Sequence, residues 1–138
     1  TEAYIMKNYA ANTGDGSVVY NNDLIKSLIN GGYVAVYFDY NKSTPTNVST
    51  EGTDFILTYL RNNPSASVDI IGHADELGRS EYNDKLSAAR ANNVKNTLVK
   101  ANIDASRLNV VGAGEDNSVD KNSDAARKLV RRVTFMVK

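Results

Sequence analysis

The chain has no cysteine and only one histidine in 138 residues. Without thiols there is no disulfide scaffold, no thiolate metal site and no cysteine nucleophile. The compartment stays open, because an oxidising space permits disulfides without requiring them. A single imidazole excludes a His-rich metal site and allows a Ser-His-Asp triad only through His73. Net charge is missing too, with 16 basic residues against 16 acidic ones. That removes the general electrostatic case for nucleic acid or an acidic membrane surface, and Arg131-Arg132 is only a pair. No apolar run approaches the ~18 residues of a membrane helix, and no signal peptide is visible. The chain opens on Thr1, so it is expected to be a fragment or a processed product. An enzyme is poorly served: there is no H-E-x-x-H spacing, and Asp75 and Glu76 are adjacent, which is a bad placement for flanking a scissile bond. Neither a metal nor a cofactor is expected.

What is present suits one domain able to bury a core without staples. Residues 1–32 read as an N-terminal extension or linker, with Asn, Gly and Asp clustered at 12–16 and 30–32 and one or two helical turns at 23–29. The main domain is expected over 33–138. Within it, Tyr33-Val34-Ala35-Val36-Tyr37-Phe38 is β-branched and aromatic, which predicts a strand. Ser49 or Thr50 can cap a helix to about Asn62, with Phe55, Ile56, Tyr59 and Leu60 on one face. Strands follow at 68–71 and 108–111, the latter closed by Gly112-Ala113-Gly114, with a long helix over 81–101 between them. A short helix at 124–129 leads to a strand over 131–137, where Val133, Phe135 and Val137 alternate with Arg132, Thr134 and Met136. This order, β-α-β-α-β and a further strand, predicts an α/β (α+β) two-layer sandwich with two helices on one face of a mixed sheet. The eight tyrosines read as core and strand packing rather than as a sugar-stacking platform.

One residue breaks the pattern of the long helix. Arg90 lies on its inner stripe, four residues after Leu86 and four before Val94. A guanidinium facing a core calls for an acid partner or an acidic ligand. Asp75 stands fifteen residues earlier, at a strand end. Asn83, Ser87, Arg90 and Val94 form one stripe, polar in its first half and apolar in its second, as in a helix whose first turns line a pocket. Backbone N–H groups at the helix start and in the loop 76–78 can help hold a carboxylate. Arg131 shares the parity of the inward residues of the last strand, and Asp39-Tyr40-Asn41 leaves the first strand as another wall. Spacing alone fits a structural ion pair as well as a two-charge site for a ligand carrying an ammonium and a carboxylate.

The motifs settle on a resemblance. Gly72-His73-Ala74-Asp75-x-x-Gly78, Asn83-x-x-Leu86-Ser87-x-x-Arg90-Ala91-x-x-Val94-x-x-x-Leu98, Arg107-Leu108, Gly112-x-Gly114-Glu115 and Arg131-Arg132-Val133 together resemble the OmpA-like peptidoglycan-binding domain. That family includes domains of outer-membrane barrel proteins, peptidoglycan-associated lipoproteins and flagellar stator proteins. The resemblance implies a non-catalytic periplasmic domain of a Gram-negative outer-membrane protein, reaching a membrane only through a part outside this chain. It implies that peptidoglycan is held by its diaminopimelate. Asp75 matches the residue that receives the ammonium and Arg90 the one that receives the carboxylate. Asn41 and Asn83 match pocket-lining positions, and Arg131 matches the first Arg of the family's N-R-R motif. Ala74 stands where a Thr is common, Val130 where the Asn of N-R-R is, and Leu77 where a polar residue is usual. The alternative is an interaction module for other periplasmic proteins, as the lipoprotein members suggest.

Overall fold

A computed structural model describes residues 10–12, 18–20, 22–45, 50–75, 80–115 and 130–138. The helix expected over 124–129 and the amides of 76–78 lie outside the described residues. A short antiparallel ribbon, β1 (Ala10–Asn12) and β2 (Val18–Tyr20), precedes helix α1 (Asn22–Asn30). Then follow β3 (Val36–Tyr37), α2 (Thr50–Asn62), β4 (Val68–Ala74), α3 (Ser80–Lys100), a 3-10 turn (Ala105–Arg107), β5 (Leu108–Glu115) and β6 (Arg132–Val137). The main sheet runs β3-β6-β4-β5. β4 and β5 are parallel and joined through α3, while β6 runs antiparallel to both β3 and β4. The last strand is thus inserted between two strands that precede it in the chain.

Alternation makes the layers. Val68, Ile70 and Ala74 of β4 and Val133, Phe135 and Val137 of β6 are buried, and they meet Phe55, Ile56, Tyr59 and Leu60 of α2 and Val94 and Leu98 of α3. On the opposite face of the sheet Met136 and Val111 are exposed. The expected fold is the one observed, with a third helix added: α1 sends Ile25 and Ile29 into the same core, and the Asn30 side chain accepts from Val137 N at 2.7 Å.

Three expectations need correction. The strand expected over 33–38 pairs only at Val36–Tyr37, with one bridge from Phe38 to Pro45. The cause is the end of α1, where Gly32 at φ 82 sets a left-handed turn. Gly32 N donates to Ile29 O and Tyr33 N to Leu28 O, so residue 33 serves the helix end instead of a ladder. The third strand does not stop at its glycines but runs from Leu108 to Glu115. Gly72 and Gly112 lie under α3: a Cβ on Gly72 would fall 1.8 Å from Ser87 O, and one on Gly112 3.1 Å from the Ala88 Cβ. These glycines admit the helix backbone rather than end a strand. Finally, most tyrosines with described side chains are not core residues. Of those whose side chains are described, Tyr59 is buried and Tyr33, Tyr37, Tyr40 and Tyr82 are exposed.

Candidate functional site

β3 and β4 both oppose β6 and therefore point the same way. Their carboxyl ends lie beside the start of β6 and the first turns of α3. In open α/β sheets, ligands bind outside such carboxyl ends. The residues singled out from sequence gather there.

Arg90 is the centre. Its guanidinium lies over the Phe38 ring at 5.4 Å. Nε donates to Lys42 O at 2.9 Å, one terminal nitrogen to His73 O at 3.1 Å and the other to Asp39 O at 3.2 Å. The sequence called for an acid; three backbone carbonyls are among the groups that answer. They tie α3 to the end of β4 and to the turn at 39–42, which a Lys42 N to Asp39 O bond closes at 3.0 Å. Asp75 comes two residues after His73, directly beyond the last residue of β4.

Burial separates the site into two tiers. Asn83 and Arg90 are 0% exposed, Asp75 2% and Arg131 3%. Asn41 is exposed and sits in the left-handed region at φ 58, a conformation Asn tolerates better than most residues. Arg131 faces inward, as its parity predicted, and its guanidinium lies 5.6 Å from the Tyr40 ring centre. Its Nε has no hydrogen-bond partner among the described residues, and its carbonyl accepts from Phe38 N at 2.9 Å. Arg90, Asn41 and Arg131 therefore meet around residues 38–42, with Asn83 following Tyr82 in α3.

Tyr40 belongs to the wall expected at 39–41, but its place beside Arg131 was not legible in the sequence, nor was the contact that Tyr82 makes. The Tyr82 hydroxyl donates to Asn41 Oδ1 at 2.8 Å, and Tyr40 packs beside Arg131. For Tyr82, its position one residue before Asn83 was the signal available. Ser87, part of the polar stripe, is spent on structure: its hydroxyl donates to Asp84 O and accepts from Gly114 N, both at 2.9 Å. His73 behaves as a hydrogen-bonded structural histidine, with Nε2 3.0 Å from Thr134 Oγ1.

Known proteins are similar to this chain. The chain is 37% identical over 103 residues to outer membrane porin F of Pseudomonas fluorescens, covering 74% of this chain and 32% of that protein. It is 35% identical over 104 residues to the peptidoglycan-associated lipoprotein of Haemophilus influenzae, covering 75% and 68%. It thus spans about a third of the length of the porin F relatives. The crystal structure of the peptidoglycan-associated lipoprotein from Burkholderia pseudomallei superposes with a TM-score of 0.70 at 25% identity, over 75% of this chain and 89% of that one. The OmpA family pattern matches residues 37–132, from β3 to the first residue of β6, and so takes in Asn41, Asp75, Asn83, Arg90 and Arg131. With that stretch matched and the β3-β6-β4-β5 sheet in place, the chain belongs to the OmpA family.

Proposed function

We propose that this chain binds peptidoglycan without catalysis, through the diaminopimelate of the stem peptide, and so anchors an outer membrane or a tethered protein to the cell wall. The observation that carries this reading is the burial of Asp75 and Arg90 at one end of the sheet, with Arg90 bound to the carbonyl two residues before Asp75. In this reading Asp75 takes the ligand's ammonium and Arg90 its carboxylate, while Asn83, Asn41 and Arg131 line the pocket. A family relative named for association with peptidoglycan supports the ligand class. The outer-membrane relatives support the periplasmic side of a Gram-negative outer membrane as the place of action.

Two charge-assisted contacts at about 1.5–3 kcal/mol each give weak capture of one stem. Many copies against a polymeric wall convert it into retention. No catalytic group is required.

The test is cosedimentation with insoluble diaminopimelate-type wall, with lysine-type wall as the control. Asp75→Asn is the cleaner variant, because Arg90 also supports the 39–42 turn. Sedimentation is expected with the first wall only, and at least about tenfold less for Asp75→Asn, the loss of one charge-assisted contact. Wild type that ignores both walls, or a variant that binds as well as wild type, would sink the reading.

Exposed Tyr37, Tyr40 and Tyr82 favour a second reading, an interaction module for another periplasmic protein. Pull-downs from envelope extract with and without free diaminopimelate separate the two. A partner retained in its presence supports the second.

A further inference from the structure

The buried state of Arg90, Asn83, Asp75 and Arg131 has a consequence for entry. A side chain that solvent does not reach is not reached by a stem peptide either, so the walls of the site must part before a ligand binds. One exposed contact joins two of those walls. Tyr82, in the first turn of α3, donates its hydroxyl to Asn41 Oδ1 in the 39–42 turn at 2.8 Å. Tyr82 is 42% exposed, and Asn41 is exposed as well. Beneath this bond, the same helix and the same turn are held together by Arg90, through Lys42 O and Asp39 O.

Resting on the peptidoglycan reading, we infer that the Tyr82–Asn41 hydrogen bond is a latch that holds the site closed, and that Tyr82 controls access to it. The bond spans the helix and the turn at the surface, where water competes for both groups. A single neutral hydrogen bond exposed to water is weak, so the latch adds only modestly to the ties that Arg90 makes between the same helix and turn. Arg90 remains as the inner tie and restores the turn after release. If the latch exists only in the closed form, it lowers apparent affinity by the fraction of molecules it keeps closed. Deleting it should therefore improve binding. A ligand contact or a purely structural bond would give the opposite sign or none.

The variant is Tyr82→Phe, which keeps the ring and removes the hydroxyl. The first readout needs no ligand: modification of Arg90 by phenylglyoxal, mapped by mass spectrometry, with exposed Arg61 as the internal reference. Arg90 should react slowly in wild type and about two- to tenfold faster in Tyr82→Phe, the range one exposed hydrogen bond allows. Arg61 should not change. The second readout is association of the tripeptide L-Ala-γ-D-Glu-meso-diaminopimelate, whose rate should rise by the same factor while dissociation stays constant. Unchanged or slower Arg90 modification overturns the latch whatever the tripeptide does. Faster modification with weaker tripeptide binding also overturns it, and makes Tyr82 a ligand contact. Wild type that fails to bind the tripeptide defeats the peptidoglycan reading, while the labelling result still decides the latch.

Discussion

Arg90 shows how one side chain can hold a site together and serve it. Its planar fork reaches carbonyls of residues 39, 42 and 73, from two segments that are far apart in the chain. A lysine keeps the charge but cannot span three acceptors or stack on the Phe38 ring. Arg90→Lys should therefore lose about 2–4 kcal/mol of stability in urea unfolding, from the lost charge-assisted bonds and the carbonyls left unsatisfied in a buried place. The same change confounds any binding assay, which is why a loss of wall binding in an Arg90 variant says less than one in Asp75→Asn. The position of Arg90 on the inner stripe was legible, because helical period needs only the spacing of apolar residues. Its carbonyl partners were not, because every residue carries a carbonyl and none advertises its use.

Between elements, the closest approach is that of α3 to β4 and β5. Gly72, Gly112, Ser87 and Ala88 let the helix backbone descend onto the two strands. Gly72→Ala would place a Cβ against a backbone oxygen that no rotamer can move, and should cost more than about 3 kcal/mol or prevent folding. Chemical denaturation of the purified variant checks this; a change under about 1 kcal/mol would mean that α3 shifts without penalty. In sequence, a glycine at 112 reads as a strand end, since turn chemistry is local and helix proximity is not. The long helix itself and α2 were read correctly because their apolar periodicity is carried within each segment. Ser87 reads as part of a ligand stripe and turns out to bind Asp84 O and Gly114 N; nothing in its spacing distinguishes the two uses.

For the molecule as a whole, stability at high pH rests partly on Tyr59. Burial raises its phenol above the usual 10.0, and the Asp23 carboxylate adds to the effect. The folded chain therefore holds this proton over a range in which the unfolded chain has released it. The contribution is complete below pH ~10 and is lost as pH climbs through the raised value. Tyr59→Phe should flatten the fall of unfolding free energy above pH 10, seen by comparing urea midpoints from pH 8 to pH 11. Equal slopes for wild type and variant would contradict it. The nearness of Asp23 to Tyr59 reflects α1 lying beside α2, in keeping with the entry of Ile25 and Ile29 into the common core.

The sequence by itself determined the α/β alternation, the inward faces of α2, α3 and β6, and the family pattern that marks Asp75, Asn83 and Arg90. Each depends on periodicity or on a run of named residues, and both survive without coordinates. Only the tertiary structure decided that β6 slots between β3 and β4, that Tyr33, Tyr37, Tyr40 and Tyr82 face outward while Tyr59 is buried, and that backbone carbonyls are among the groups that meet Arg90. Strand order is a choice among long-range pairings that alternate alike, so no local signal ranks them. A tyrosine suits a core or a surface equally, having an apolar body and a polar tip. The site lies where these undetermined features meet: the start of the inserted strand brings Arg131 beside Tyr40, and the 39–42 turn takes the Tyr82 hydroxyl and the Arg90 guanidinium.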